Sequence, residues 1–320
     1  MVLKQLIYVA ALARERHFGR AAKSCHVSQP TLSAAVRQLE EELGTPIVRR
    51  GHRFNGFTPE GEAVLEYAKR IIADCTALRQ DVGRARGRLT GRLRLGAIPT
   101  AQPIISMLTA PFRAKHPLVT IAVLSLNSQQ IQRGVEDLEI DAAITYLDNE
   151  PLERVKSLRL YAEEYVLLAP EHGPFGDRNS VTWAEAADEP LCLLTPDMQN
   201  RRIIDGIFRS IGKHPRPSVE TNAIFNLWSY VHSGQASSIV PKALLQVFGV
   251  PDRTKALALV EPKASRTVGL IISDRELPSP LARSFFSIAK ALDLETALTP
   301  PAKSKARHRA SLAPASDRDG

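Results

Sequence analysis

Gln29, Thr31, Ser33, Arg37 and Gln38 are the side chains of this sequence best suited to chemistry with another molecule. Their amide, hydroxyl and guanidinium groups can pair with base edges in a DNA major groove, where each base pair shows its own pattern of donors and acceptors. They are interleaved with Leu32, Val36, Leu39 and Leu43, which recur at steps of four, three and four. That spacing predicts one buried stripe of a helix and leaves the polar set on its free face. Ser28 is suited to cap this helix, and Pro30 comes in its first turn, where a missing N–H costs nothing. Just upstream, Phe18, Ala21, Ala22 and Cys25 give a shorter helix an apolar face, and His26-Val27 turns the chain. Two helices joined this way form a helix-turn-helix whose second helix reads DNA. On this stretch alone, two helices of an ordinary bundle remain the alternative.

The flanking segments suit the same purpose. Leu3, Leu6, Ile7, Val9, Ala10 and Ala13 predict an amphipathic helix over 3–15 that packs behind the pair. After Gly44, the Asn55-Gly56 pair signals a hairpin, and Arg49, Arg50, His52 and Arg53 make it basic. Such a wing holds phosphates and sets register, with a merely solubilising charged hairpin as the alternative. Thr58-Pro59-Glu60 starts a further helix that runs to about Arg86, before Gly87. Within it Val64, Ala68, Ile71, Cys75, Leu78 and Val82 make a heptad seam suited to pairing two chains, unless the seam is buried against its own chain.

The run AAKSCHVSQPTLSAAVRQLEEELGTPIVRR resembles the N-terminal domain of the LysR-type transcriptional regulators. The paired alanines, Ser28-Gln29-Pro30, Ser33, Arg37-Gln38-Leu39-Glu40, Leu43-Gly44 and Phe57-Thr58-Pro59-Glu60-Gly61 all fall in family register. Val48 stands where the family usually has Phe, and Phe57 where it usually has Leu; both positions stay apolar. The resemblance covers the chain except its tail. The expected DNA contacts are Ser28, Gln29, Pro30, Thr31, Ser33, Arg37, Arg49, Arg50 and Arg53. The resemblance also implies dimerisation through the linker helix, a homotetramer as the larger assembly, and operator or promoter DNA as partner, with RNA polymerase a further candidate.

At 320 residues, 44% hydrophobic and 24% charged, the chain can form two or three compact units. Residues 1–90 hold fifteen Lys or Arg against nine Asp or Glu, and residues 300–320 hold five against two. The basicity thus sits where DNA phosphates are expected. Cys25, Cys75 and Cys192 are widely separated, which fits reduced thiols in a cytoplasm rather than a disulfide framework. No secretory signal and no run of membrane-spanning length is evident.

From residue 91 strands and helices alternate, which predicts parallel α/β architecture. Strands are expected at Leu93–Ile98, Val119–Leu126, Asp141–Leu147, a close pair Leu158–Ala162 and Tyr165–Leu168, and then Pro190–Thr195, Ser218–Thr221, Ser237–Val240 and Thr267–Ser273. The resemblance implies a two-subdomain, periplasmic-binding-protein-like sensor. The expected division is a winged helix-turn-helix over 1–58, a linker helix over 59–88, and an effector domain over 91–296. Within the last, subdomain one is about 91–163 plus 267–296 and subdomain two about 164–266. The Pro-, Ala- and Lys/Arg-rich stretch 297–320 is too poor in large apolar residues to fold.

Ligands of open α/β sheets collect at the carboxyl ends of strands, and helix N-termini there favour anions. That rule and the resemblance select Thr100, Ala101 and Gln102, then Ser128, Thr145, Thr195 and Asn222 as effector contacts. Each hydroxyl could equally be a cap or turn residue. Hydroxyls and amides without an obvious buried Arg suit a small carboxylate or other small anionic metabolite. No HExxH, P-loop, GxGxxG or GxSxG is present, and Ser287-Ile-Ala-Lys290 fits SxxK without companion motifs. No cofactor, metal site or enzymatic activity is therefore expected. An architectural DNA-binding protein whose α/β half only assembles oligomers is the rival reading.

Overall fold

The computed structural model describes residues 1–49, 54–85 and 87–298. It begins with α1 (Leu3–Glu15), α2 (Phe18–Ser24), α3 (Gln29–Leu43) and the long α4 (Pro59–Ala85). Leu6, Val9 and Leu12 of α1 meet Ala21, Ala22, Leu32, Val36 and Leu39 in one core that Ile47 and Phe57 close. His17 caps α2 through its ring Nδ1, and the Ser28 hydroxyl accepts from the Thr31 N–H at the start of α3. Gly44 ends α3 in the left-handed region, where glycine has no Cβ to clash. Leu43, expected in the buried stripe, is exposed, because α3 has run past the body of the core by its last residue.

Val48 pairs antiparallel with Phe57 at the base of the wing. Arg49 N–H donates to the Gly56 carbonyl, so Gly56 already belongs to the ladder and the loop is longer than an Asn55-Gly56 two-residue turn. Arg50 and Arg53 lie outside the described residues. At Gly61 the linker helix passes so close to the wing that an added Cβ would sit 2.0 Å from the Ile47 carbonyl oxygen.

The remainder comprises β1 (Gly91–Ala97), a 3-10 turn at Pro99–Ile104, α5 (Ile105–Lys115), β2 (Val119–Ser125), α6 (Ser128–Glu136), β3 (Ala142–Tyr146) and β4 (Val155–Pro170). Then come β5 (Ser180–Thr182), α7 (Trp183–Ala186), β6 (Cys192–Leu194), α8 (Gln199–Ser210), β7 (Val219–Thr221), α9 (Ile224–His232) and β8 (Ser238–Pro241). The chain closes with α10 (Lys242–Phe248), β9 (Thr254–Val260), β10 (Ser265–Ser273), α11 (Pro280–Lys290) and α12 (Leu294–Ala297).

The main sheet runs in the order β2-β1-β3-β10-β4-β9-β5, with β8 also on β4, while β6 and β7 pair separately. It is mixed rather than purely parallel. β1 lies parallel to β2 and β3, but β10 is antiparallel to β3 and β4, and β4 to β8 and β9. The strand pair expected at Leu158–Ala162 and Tyr165–Leu168 is one continuous strand. Glu163 and Glu164 between them supply no turn chemistry, and the alternation that buries Tyr161 continues through Glu163, Tyr165 and Leu167. The first half of β4 therefore pairs with β10 and its second half with β8 and β9. This gives two lobes that share a strand, with Glu163 and Glu164 opposite Arg266 and Ser265 where the chain crosses.

Candidate functional site

The first α3 residues form an open polar face. Ser28, Gln29, Pro30, Thr31, Arg37 and Gln38 are exposed, and Ser33 is half-buried. The Ser28 and Thr31 hydroxyls lie 2.7 Å apart, and Arg37 Nε donates to the Ser33 carbonyl at 3.4 Å. Arg49 Nε donates to the Phe57 carbonyl at 2.9 Å, so its guanidinium is fixed on the wing beside this face. Two supports are not obvious from sequence. Glu40 accepts from the Ile47 and Val48 N–H groups at 2.7 and 3.0 Å, tying α3 to the wing. Phe54 stacks edge-on between Phe18 and Phe57. A helix presenting amide, hydroxyl and guanidinium groups beside Arg49 has the chemistry that suits a major groove flanked by phosphates.

The second polar cluster lies between the lobes. Thr100 is buried, and its Oγ1 lies 3.2 Å from the Tyr146 hydroxyl. Asn200, at the start of α8 in the other lobe, donates to that hydroxyl at 3.1 Å. Tyr146 donates its single proton to Glu163, so Thr100 and Asn200 both serve as donors to it. Tyr161 donates to the other Glu163 oxygen at 3.5 Å. Burial pushes the Glu163 carboxyl up to about 7, and the Asp148 charge adds to the rise while hydrogen bonds from the tyrosines oppose it. The Tyr146, Tyr161 and Tyr165 hydroxyls are all held well above their usual range by burial and by the Glu163 charge.

Farther out, Arg202 of α8 grips Glu150 through two bonds, at 2.7 and 3.0 Å, and reaches Ser128 Oγ at 2.9 Å. Ser128 in turn donates to Glu150 at 3.1 Å, and Asn127 Nδ2 donates to Asp197 at 3.2 Å. Paired bonds between a guanidinium and a carboxylate are strong and directional. These contacts span the cleft and join the lobes.

The expected effector residues therefore divide. Thr100 and Ser128 enter the cleft network. Thr145 neighbours Tyr146 on a strand and so faces the other side of the sheet; Tyr146 takes the place it was expected to fill. Ala101 is buried and its N–H is taken by the Ile98 carbonyl, because the 3-10 turn closes on itself. Gln102 turns its amide back onto the Ala97 carbonyl at 3.2 Å. Thr195 bonds through its backbone to Thr221. Asn222 is exposed and caps nothing; Thr221 Oγ1 accepts from Ala223 N–H and Asn226 instead. Tyr146, Glu150, Glu163, Asn200 and Arg202 were not anticipated. The one available signal was the charged Glu163 at an inward step between the buried Tyr161 and Tyr165.

The family profile described as "LysR substrate binding domain" matches residues 86–293, and "Bacterial regulatory helix-turn-helix protein, lysR family" matches residues 3–62. The chain belongs to the LysR-type transcriptional regulators. It is a DNA-binding regulator with an effector-binding domain, not an enzyme. The DNA-binding transcriptional dual regulator OxyR of Escherichia coli K12 is 29% identical over 297 residues, covering 91% of this chain and 95% of that protein. A full-length OxyR variant from Pseudomonas aeruginosa superposes with a TM-score of 0.71 at 26% identity, covering 92% and 99% of the two chains. Full-length CbnR bound to its target DNA shares the fold, with a TM-score of 0.64 at 22% identity over 91% of this chain and 99% of that one.

In this regulator the linker seam divides. Ala68 is fully buried against α1, and Val64 and Ile71 pack partly on the same core. Ala68 is therefore not available to a second chain, since α4 uses its first turns to dock its own helix-turn-helix. Leu78 and Val82 are 65% and 48% exposed, and Tyr67, on the same side of the helix, is 65% exposed. Lys69 pairs with Asp137 of the first lobe at 2.8 Å, Arg283 with Asp81 at 3.0 Å, and Arg275 with Asp74. Among the described residues no helix is long and apolar enough to cross a membrane.

Proposed function

We propose that this regulator answers to a small polar molecule, of the carboxylate class, that acts on the contacts between the two sensor lobes. The observation that carries the reading is the polar join itself: Tyr146 to Asn200 and Arg202 to Glu150 and Ser128 hold the lobes together. Polar contacts of this kind exchange readily with those of a ligand, so binding can shift the balance between lobe arrangements. Helix α6 begins at Ser128 beside Arg202 and ends beside Asp137, which pairs with Lys69 of the linker. A shift of α6 therefore bears directly on α4 and on the attached DNA-reading domain. Effector and DNA must then alter each other's affinity reciprocally. In the same proposal Ile71, Cys75, Leu78 and Val82 pair the linker helices of a dimer in the cytoplasm, two dimers make a tetramer, and bound regulator contacts RNA polymerase.

Several relatives are hydrogen peroxide-inducible genes activators. The one thiol of the sensor half does not favour peroxide as the signal. Cys192 is the one cysteine beyond the linker helix; it is buried, and burial pushes its thiol up to about 11. The thiolate is the reactive form, and at neutral pH this group holds almost none. The test is binding to DNA upstream of the protein's own gene, with scrambled DNA as control, against small carboxylates and peroxide. A carboxylate that shifts operator affinity or bend supports the reading. Specific binding that responds to nothing favours the architectural rival, and a response to peroxide alone overturns the carboxylate class.

A further inference from the structure

In the inner cleft the Tyr146 hydroxyl is the centre of the hydrogen-bond network. It sits between Thr100, Glu163 and Asn200 and hydrogen-bonds to each. A cavity of about 380 Å³ opens farther out, walled by α6 and the Glu150–Leu152 segment, with Gln199 contributed by the other lobe. That volume falls in the range of small-molecule sites.

The wall is polar in a specific way. Gln199 is 3% exposed, and among the described residues its amide makes no hydrogen bond; its Oε1 is fully enclosed. A buried amide without a partner costs free energy that a ligand can recover. Gln132 gives its amide hydrogens to Glu136 and to the Glu153 carbonyl, and its Oε1 is likewise buried and bare. Both oxygens are left without a donor. Arg133, exposed on the same wall, has no ion pair or side-chain hydrogen bond among the described residues. Arg202, by contrast, is already neutralised by Glu150. Pro151 and Leu152 give the cavity an apolar side.

Resting on the regulator reading, we propose that this outer cavity is the effector seat and takes a carboxylate bearing a hydroxyl or amine at its far end. The carboxylate meets Arg133, the body lies on Pro151 and Leu152, and the distal donor meets Gln199 and Gln132. Since Gln199 is carried by α8 beside Arg202, occupancy fixes one lobe against the other.

Calorimetry on the full-length protein tests this with para-hydroxybenzoate and para-aminobenzoate. Benzoate lacks the donor and para-hydroxybenzyl alcohol lacks the carboxylate. Saturable binding of either substituted acid, tighter than both controls, is expected. Arg133→Ala should weaken it at least about tenfold, the size of a lost charge-assisted hydrogen bond, with Arg133→Lys partly restoring it. Gln199→Leu should erase the preference over benzoate. Arg133 is on the surface, so its variants remain informative if Gln199→Leu fails to fold. The proposal is overturned if neither acid binds at millimolar concentration, or if the Arg133 and Gln199 variants bind as wild type does. Operator binding by the same ligand-free preparations separates the outcomes: its absence counts against the regulator reading, whereas its presence with any of these failures counts only against the seat.

Discussion

Replacing Glu163 by Gln should make the sensor half more stable at alkaline pH and leave it nearly unchanged in acid. Burial lifts this carboxyl from an ordinary 4.5 to about 7, so the folded protein holds a proton that the unfolded chain releases earlier. The sign follows from linkage: stability is fully present below 4.5 and is lost as pH rises through about 7. At roughly 1.4 kcal/mol for each tenfold change in proton affinity, the gap amounts to about 3 kcal/mol. Glutamine keeps the shape of the protonated acid, can accept from Tyr146, and does not ionise. The difference between Glu163→Gln and wild type should therefore grow with pH by about 2 kcal/mol from mildly acidic to mildly alkaline buffer. Because the two proteins share every other titrating group, the difference isolates this one. Urea unfolding followed by fluorescence provides the assay, since Trp183 and Trp228 are the two tryptophans of the chain and both lie in the sensor half. A difference that stays constant with pH would show that Glu163 does not titrate in this range, and the account of the buried cluster would fail.

Three further outcomes test the DNA-reading half and the linker. Arg37→Ala should weaken operator binding by about 1–3 kcal/mol and relax base choice at one position if the guanidinium reads a base; unchanged preference in a randomised-site selection would remove it from that role. Gly61→Ala places a Cβ 2.0 Å from the Ile47 carbonyl oxygen, which the backbone must move to relieve. The expected loss is about 1–3 kcal/mol or more, seen as DNA binding that fails at a lower temperature than in wild type. Leu78→Glu combined with Val82→Glu should convert the dimer to monomer in sedimentation and reduce operator affinity, while Ala68→Ser should not; an unchanged dimer would assign the subunit contact elsewhere.

The two halves of the molecule differed in how much their sequence disclosed, for a physical reason. The DNA-reading half is local. Its cap, stripe and free face come from one stretch, and helical period alone separates Leu32, Val36 and Leu39 from Gln29, Thr31 and Arg37. Its errors were errors of edges: Leu43 beyond the core, Gly56 inside the wing ladder, and Ala68 turned to its own chain. In the sensor half, alternation marks most strands and the longer helices, but it divides β4 where it continues and misses β5, β9, α7, α10 and α12. The two-lobe division is implied only by the family resemblance. The cleft is different in kind. Thr100, Tyr146, Glu163 and Asn200 are far apart in the chain and meet only because β3, β4 and α8 converge. Hydroxyl residues at strand ends were reasonable candidates under the rule that ligands gather there. That rule does not tell which of two successive residues faces the cleft, and one step along β3 exchanges Thr145 for Tyr146. Tyrosine in a strand reads as core, yet here its ring is core and its hydroxyl is the centre of the network. A glutamate between Tyr161 and Tyr165 carried the missing information. Period two requires its side chain to point inward with theirs, and an inward carboxyl must find donors or keep its proton. Glu163 accepts from Tyr146 and Tyr161, and burial lets it hold a proton up to about pH 7, so a carboxyl at this inward step brings a polar network with it.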